Sequence, residues 1–331
     1  MSYAPDCPEN ETRIAARDQR FDDFDAQSEQ LSGHDQQYCQ LSSGGFRGRF
    51  VSAFLDDGVS LHLETANQAL EQHVGCPRDT VNIGLVIDGD RPFVVNGEPL
   101  DQTGMLITPP GAELSMFSPA GATILAICLD HERIRAWSAN ENLQDPFAIS
   151  RNHVSVQNAP MLADSLRKSA LRIVRAILQT EEPEDTWAED VPVGRRFTSA
   201  VLAQLTLNQA LSSWDRPTAS EGSAVFERAR ALLLQMPDGD IDYTMLRAEL
   251  GCSERTIQKS FLRYTDMSPT QYLRTVRLNR VRRMLMSKSH RASSIGDLAA
   301  RSGFWNWSRF SGFYKKQFDE LPSETRLRAL S

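Results

Sequence analysis

Short apolar runs separated by turn-forming residues dominate residues 46 to 130. FRGRFVSAFL, VSLHLETA, TVNIGLVID, RPFVVNGEPL, GMLITPPGAEL and ATILAICLD are rich in β-branched and aromatic side chains, and clusters such as DDG, DGD, VNGE and PPG lie between them. Runs of this length at intervals of about ten residues are typical of antiparallel strands. The pattern predicts an antiparallel sandwich or barrel, preceded by a polar segment, residues 1–45, with one short helix.

After residue 130 the apolar residues follow a helical period. Residues 161–178 and 197–214 each place their apolar side chains largely on one stripe, which predicts two amphipathic helices. Such helices either cover the open face of the sheet or pair with their copies in a homodimer. The segment WDRPTASEGS, residues 214–223, has the composition of a linker. We therefore predict a regulatory domain over residues 46–213 and a second domain over residues 224–331.

The second domain is predicted to be all helical, with the same arrangement occurring twice. LRAELG followed by CSERTIQKSFLRYT gives a short helix, a glycine turn and a second helix, and DLAARSG followed by FWNWSRFSGFYKKQF repeats the order. Between them, Ser268-Pro-Thr-Gln carries the signals of a helix start, and the helix it opens runs to about Ser287. A connector of about 20 residues spans roughly 30 Å, close to one turn of B-DNA at about 34 Å. The pattern predicts two helix-turn-helix motifs that enter successive major grooves.

Helical geometry separates the two faces of the first recognition helix. Ile257, Phe261 and Tyr264 fall on one side, which is the predicted packed side. The side chains on the outer side and its flank that are suited to reading bases are Arg255, Gln258 and Lys259. Arg263, near the end of the helix, is a predicted phosphate contact.

The second recognition helix divides in the same way. Its predicted packed side consists of Phe310, Phe313, Tyr314 and Phe318. Its predicted DNA contacts are Trp307, Ser308 and Arg309 to base edges and Lys315 and Lys316 to phosphates, with Arg274 of the connector as a further phosphate contact. Gly312 stands in the middle of the outward face, so this face lacks a long side chain there.

Charge is distributed unevenly along the chain. The net charge is −7 overall, but residues 225–331 hold 19 Lys and Arg against 11 Asp and Glu, whereas residues 1–224 hold 17 against 32. A basic domain joined to an acidic one indicates a module that binds a polyanion and a partner region kept away from it. The longest apolar runs are too short to span a bilayer and the N-terminus lacks a secretory signal, so a soluble cytoplasmic protein is expected.

Neither a metal site nor an enzyme is predicted. The five cysteines are scattered without a CxxC pair, and the six histidines form no HxH or HxxxH pair. GxSxG and phosphate-binding glycine loops are absent. We expect no cofactor and no catalytic activity.

LRAELGCSERTIQKSF, SPTQYLRTVRLNRVRRML and GFWNWSRFSGFYKKQFDELPSETR together resemble the DNA-binding region of the AraC/XylS family of transcription regulators. The resemblance covers about 105 residues, and the chain looks most like the ethanolamine-operon and XylS-type members. The strand region resembles less closely the cupin-like N-terminal sensing domain found in that family. Family members often carry a long polar side chain where this chain has Gly312.

The resemblance implies a ligand-responsive activator that binds double-stranded DNA and works with RNA polymerase, with a small-molecule effector and a possible homodimer. An alternative effector is a cyclic dinucleotide, because Arg13, Arg17 and Arg20 precede the strands and guanidinium groups suit phosphates. The same three arginines are also compatible with a solvated helix face. A third possibility is a DNA-binding protein without a ligand.

Overall fold

A computed structural model describes residues 14–140, 145, 147, 153–179, 193–207, 221–236 and 241–329. Within these ranges the N-terminal part is built on two antiparallel sheets and the C-terminal part is built of helices. The predicted α+β fold class is confirmed at this level. None of the helices in the described ranges is long and apolar enough to cross a lipid bilayer.

The larger sheet has seven strands in the order β1-β3-β4-β11-β6-β9-β12, and all its neighbours pair antiparallel. Along β6 (Thr80–Asp88), Val81, Ile83 and Leu85 are fully buried against the helices, whereas Asn82 and Gly84 lie on the face toward the smaller sheet. This alternation is the two-residue period of a strand. The strands are β1 (Ala15–Phe21), β3 (Gly48–Phe54), β4 (Val59–Ala66), β6 (Thr80–Asp88), β9 (Gly104–Thr108), β11 (Thr123–Asp130) and β12 (Ser155–Asn158).

The smaller sheet has five strands in the order β2-β5-β10-β7-β8. The hairpin between β7 and β8 turns at Asn96-Gly97, where both residues have positive φ, 48° and 85°, as the tight turns of β-hairpins require. The strands are β2 (Asp35–Gln40), β5 (Leu70–Gly75), β7 (Phe93–Val95), β8 (Glu98–Leu100) and β10 (Glu113–Ser118).

The two sheets face each other across one apolar cluster. Val86, Leu106 and Ile124 of the larger sheet meet Phe93 and Leu114 of the smaller sheet in it. Neither sheet closes on itself in the part of the chain that is described. The arrangement is that of a sandwich, and the cupin-like barrel stays a prediction.

Helices cover the outer face of the larger sheet. They are α2 (His131–Asn140), α3 (Pro160–Gln179) and α4 (Val193–Leu207). Leu166 and Val174 of α3 and Val201 and Leu205 of α4 are buried in one cluster with the strands. The two amphipathic helices thus cover the sheet, which is one of the two roles left open by the sequence, and a homodimer remains a prediction.

The C-terminal helices follow the order expected from the sequence. They are α5 (Glu221–Gln235), α6 (Tyr243–Leu250), α7 (Glu254–Thr265), α8 (Pro269–Met286), α9 (Ile295–Ala300), α10 (Trp307–Phe318) and α11 (Pro322–Arg328), with a 3₁₀ turn at Lys288–His290. A short helix followed by a longer one occurs twice, as α6–α7 and as α9–α10, and α8 connects the two pairs.

The N-terminal segment is more regular than the sequence predicts. Residues 15–21 and 35–40 form β1 and β2, and α1 (Phe24–Ser28) lies between them. Arg17 and Arg20 therefore lie on a strand, so the expectation of a solvated helix face is wrong for them. Their odd spacing places them on opposite faces of that strand. Arg13 lies outside the described residues, as do residues 208–214 of the helix expected over 197–214 and residues 214–220 of the linker expected over 214–223.

Candidate nucleic-acid interface and regulatory cavity

The first helix pair is fixed by local capping. Asp242 accepts hydrogen bonds from the backbone of Thr244 and Met245, and Ser253 caps the start of α7. Between the two helices, Gly251 closes α6 with φ of 63°, a conformation that favours glycine. Local sequence alone therefore sets the turn that positions α7.

The two faces of α7 are those expected from its period. Ile257 and Phe261 are fully buried, and Phe261 packs edge-on against Phe226 of α5 with ring centroids 5.0 Å apart. On the opposite side, Arg255, Gln258 and Lys259 are exposed. The face carries hydrogen-bonding groups that can pair with guanine and adenine in a major groove.

Arg263 is also exposed, but its surroundings differ from those of the other three. Its guanidinium lies 5.5 Å from the centre of the Tyr264 ring. It borders a groove of about 320 Å³ between α7 and the smaller sheet, near the ion pair of Arg91 with Asp266. Arg263 therefore lies at the junction of the two parts of the chain.

The connector α8 begins at the predicted residue. The Ser268 side chain accepts from the Gln271 backbone while the Gln271 side chain accepts from the Ser268 backbone, which forms a capping box ahead of Pro269. At about 1.5 Å per residue, its 18 residues span about 27 Å. The expected length and start of the connector are both present.

The exposed face of α10 carries the remaining predicted contacts. Asn306 caps the helix, Phe310 and Tyr314 are fully buried, and Phe318 is nearly so. Phe313 is half-buried, and the guanidinium of Arg274 lies 4.3 Å from its ring centre. The exposed residues of this face are Trp307, Ser308, Arg309, Lys315 and Lys316. All nine predicted contact residues of α7 and α10 are therefore exposed, and their contact with DNA remains a prediction.

Next to α10, an exposed tryptophan was not expected, whereas the open position at Gly312 was. Trp305, just before the helix, is 79% exposed, although an indole usually packs inside a protein. Gly312 is exposed, and a Cβ added there would meet no atom within 4 Å. The second face thus has an open position in its middle and an aromatic residue at its edge.

The helices dock onto the smaller sheet through a buried ionic cluster. Arg230 of α5 donates to Glu71 of β5 at 2.6 Å, and the Tyr272 hydroxyl of α8 donates to the other oxygen of Glu71 at 2.8 Å. The His73 Nε2 accepts from Arg230 at 2.5 Å. Burial alone would raise the pKa of Glu71, but its contact with the His73 ring and the charge of Arg230 hold that pKa below its usual value. Glu71 is therefore a buried carboxylate.

A second buried arginine ties α8 to the N-terminal segment. Arg282 has a side chain only 3% exposed and lies 2.6 Å from Asp23 and 3.0 Å from Asp25. Its guanidinium also lies 4.4 Å from the centre of the Phe24 ring. Burial raises the pKa of Asp25 to about 6, despite the nearby charge of Arg282. This arginine of the connector contacts the protein itself in this structure.

The edge of the smaller sheet is closed by amide side chains. Asn279 of α8 accepts from the backbone N–H of Gln40 at 2.9 Å and donates to its carbonyl at 3.0 Å. Gln317 of α10 donates to the same carbonyl at 2.9 Å. Since β2 is the edge strand, these bonds satisfy backbone groups that a strand edge leaves open.

A cavity of about 70 Å³ lies between the sheets. Its wall includes Glu64 of β4 and Gln72 of β5, with apolar side chains such as Leu114 and Met116 around them. Gln72 directly follows Glu71, so β5 carries the cavity on one face and the ionic cluster on the other. One strand therefore touches both the cavity and the helices.

Sequence reasoning missed the residues of the ionic clusters and of the cavity. The strand LEQHVG holds Glu71, Gln72 and His73 in its centre and lacks the alternation of apolar and polar residues that marks a half-buried strand. The only local signal was its position between two turn-rich segments. The partners of Glu71 lie 159 and 201 residues away in sequence, which the pattern of one strand does not reveal.

Residues 246–328 match the family described as a helix-turn-helix domain. The XylDLEGF operon transcriptional activator 3 of Pseudomonas putida is 27% identical over 151 residues, which is 46% of this chain and 45% of that protein. The regulatory protein HrpB of Ralstonia nicotianae is 32% identical over 136 residues, 41% of this chain and 25% of HrpB. The matched parts thus span less than half the length of these relatives.

Among solved structures, the AraC-like transcriptional activator CuxR covers 80% of this chain and 94% of its own, with 14% identity and a TM-score of 0.43. The curated relatives named above are regulatory proteins rather than enzymes, in agreement with the expectation for this chain. The family match begins within α6 and extends through α7, the connector and the second helix pair to the end of α11. The C-terminal part of the chain therefore matches a helix-turn-helix domain over residues 246–328, in agreement with the resemblance to the AraC/XylS family of transcription regulators.

Proposed function

We propose that this protein is a sequence-specific DNA-binding regulator that activates transcription in response to a small molecule. The exposed polar face of α7 carries the proposal. Arg255, Gln258 and Lys259 lie together on the side opposite the buried Ile257 and Phe261. A helix held in this way presents one edge to solvent, and these side chain types pair with base edges in the major groove.

The second helix pair extends the proposed interface. The connector is about 27 Å long by its 18 residues, which suits two recognition helices that enter neighbouring turns of the major groove on one face of the duplex. Lys315 and Lys316 of α10 are exposed and suited to phosphates. We assign most of the base discrimination to α7, because Gly312 offers no side chain at the centre of the α10 face.

The effector is assigned to the cavity between the sheets. Gln72 lines this cavity, and its neighbour Glu71 binds Arg230 and Tyr272 of the helical part. A ligand that moves β5 therefore acts on the contacts that hold the helices. Cooperation with RNA polymerase, a homodimer and a cytoplasmic location belong to the same proposal.

A cyclic dinucleotide effector is less well supported. Arg17 is exposed on β1, and its guanidinium lies 5.6 Å from the centre of the Phe54 ring. Arg20 lies on the other face of that strand. The two described arginines of the sequence pattern do not converge on one phosphate.

Selection from random duplex DNA with the full-length chain tests the DNA-binding proposal. Enrichment of one sequence is expected, and Arg255→Ala should weaken binding to it by about 1–3 kcal/mol while relaxing preference at one base position. Arg195→Ala is the control, because Arg195 is an exposed cation of α4 outside the helical domain. Equal losses on selected and random DNA would exclude base reading by Arg255.

A further inference from the structure

The cavity between the sheets holds a carboxyl group that lacks a cationic partner among the described residues. Glu64 is buried, and Gln27 donates to it at 3.0 Å. Its other hydrogen-bond partners are Tyr38 and Gln72, which are also uncharged, and burial raises the pKa of Glu64. Buried carboxylates are usually paired with a cation, as Glu71 on β5 of the smaller sheet is with Arg230.

A neighbouring polar atom in the same wall is unsatisfied. Gln72 is 2% exposed and lines the cavity, and its Oε1 accepts no hydrogen bond from the residues that the structure describes. Leaving such an atom unsatisfied in a buried position is unfavourable. Among the described residues, the cavity therefore offers two acceptors, a carboxyl and an amide oxygen, and one unsatisfied donor, Asn82 Nδ2, to a ligand.

The histidines of the wall supply no positive charge. Both ring nitrogens of His62 lie within hydrogen-bonding distance of serine hydroxyls, 3.0 Å to Ser52 and 2.8 Å to Ser60. Burial lowers the pKa of His62 to about 3 and also lowers the pKa of His34. Lysine and arginine are absent from the described residues that line the cavity. An anion would meet a carboxyl group without a compensating cation.

We propose that this cavity binds a small organic ammonium ion, which pairs with Glu64 and donates a further hydrogen bond to Gln72. The apolar part of the wall, with Leu114, Met116 and Ile124, receives a short carbon chain. This ligand class rests on the proposed function, in which the protein responds to a small molecule, and it narrows that molecule to an amine. Bulky anions such as nucleotides, and small carboxylates, are excluded by charge.

Thermal unfolding of the full-length protein with three matched compounds tests the ligand class. Propylammonium chloride, 1-propanol and sodium propionate share a carbon skeleton and differ in the polar group, and sodium chloride controls for ionic strength. Propylammonium should raise the melting temperature progressively with concentration, because ligand that binds only the folded state stabilises it. Propanol should have a smaller effect, and propionate should match sodium chloride.

A pair of variants assigns the effect to the cavity. Glu64→Gln should weaken propylammonium binding at least tenfold, whereas Glu113→Gln, which changes an exposed glutamate at the start of β10, should leave it unchanged. A propionate shift equal to that of propylammonium, no shift with any compound, or an unchanged response in Glu64→Gln would overturn the proposal. The three-compound comparison uses the unaltered chain and stands even where Glu64→Gln does not fold.

Binding to the DNA sequence selected above is measured in parallel. Sequence-specific DNA binding without an ammonium response rejects the ligand class alone. If the unaltered chain shows no sequence-specific DNA binding, the proposed regulatory function is rejected, whatever the response to propylammonium.

Discussion

Removal of Arg230 should destabilise the protein far more than removal of an exposed arginine on the same helix. Its side chain is 9% exposed and that of Glu71 is 2% exposed, with 2.6 Å between Arg230 Nε and the carboxylate. Arg230→Met would leave the Glu71 carboxylate buried and without its closest cation. Breaking a buried ion pair from one side costs about 3–5 kcal/mol in the free energy of unfolding.

The double variant separates the worth of the pair from the cost of an unpaired charge. In Glu71→Gln/Arg230→Met the charge is removed from both sides, and the Gln carbonyl still accepts from Tyr272, whose hydroxyl bonds Glu71 at 2.8 Å. The double variant should therefore recover at least half of the loss of Arg230→Met. With a loss of about 4 kcal/mol in Arg230→Met, the double variant should thus be more stable than Arg230→Met by about 2 kcal/mol.

Urea unfolding followed by tryptophan fluorescence and by circular dichroism gives the free energies. Trp137 of α2 and Trp307 of α10 report on the two parts of the chain. Arg228→Met is the matched control, because Arg228 lies on α5 and is exposed, and it should change the free energy of unfolding by less than about 1 kcal/mol. A loss below about 1 kcal/mol for Arg230→Met, or a double variant no more stable than Arg230→Met, would refute the assignment of Glu71 as a buried, paired carboxylate.

Three further changes address the DNA face and the cavity. Lys315→Ala should weaken binding on all sequences alike and lower the slope of log affinity against log salt by about 1; a changed base preference would contradict a phosphate contact. Gly312→Arg adds a side chain where a Cβ meets no atom within 4 Å, so the stability of the protein should be unchanged. DNA affinity or base preference should change, and if both stay the same, this face does not contact DNA. His62 has a pKa near 3 when folded and about 6.5 when unfolded, so its contribution is complete above pH 6.5 and is lost as pH falls toward 3. The free energy of unfolding of His62→Gln should therefore fall less steeply over that window than that of the unaltered protein, by up to about 1.4 kcal/mol per pH unit. Parallel curves of this free energy against pH, measured by urea titration, would disprove that His62 is neutral and buried.

Local signals were enough to predict the helices of the C-terminal part. The capping box at Ser268 and the glycine at 251 act within a few residues, and both are present. The buried side of α7, with Ile257 and Phe261, follows from a period of 3.6 residues. These features depend on neighbours in sequence, and a single sequence shows them.

The missed elements depend on distant partners. β1, with the sequence AARDQRF, is an edge strand whose polar residues face solvent, so its pattern is that of a loop. Glu71 and Arg282 are of residue types that usually lie at the surface. Each is buried here because it pairs with an oppositely charged residue in the other half of the chain, Glu71 with Arg230 and Arg282 with Asp23. Pairings over more than 150 residues leave no periodic mark, so neither the junction nor the cavity wall could be predicted.

The junction changes the interpretation of the charge asymmetry. An acidic N-terminal half was expected to stay away from a polyanion, but part of its charge neutralises the basic half directly. Asp23 and Asp25 hold Arg282 of the connector, and Glu71 holds Arg230, with both guanidiniums buried. These two cations are unavailable to phosphates in this arrangement, whereas Lys315 and Lys316 remain exposed. The salt dependence of DNA binding should thus reflect the exposed cations of the recognition helices, and an increase in its slope on effector binding would indicate that the junction opens.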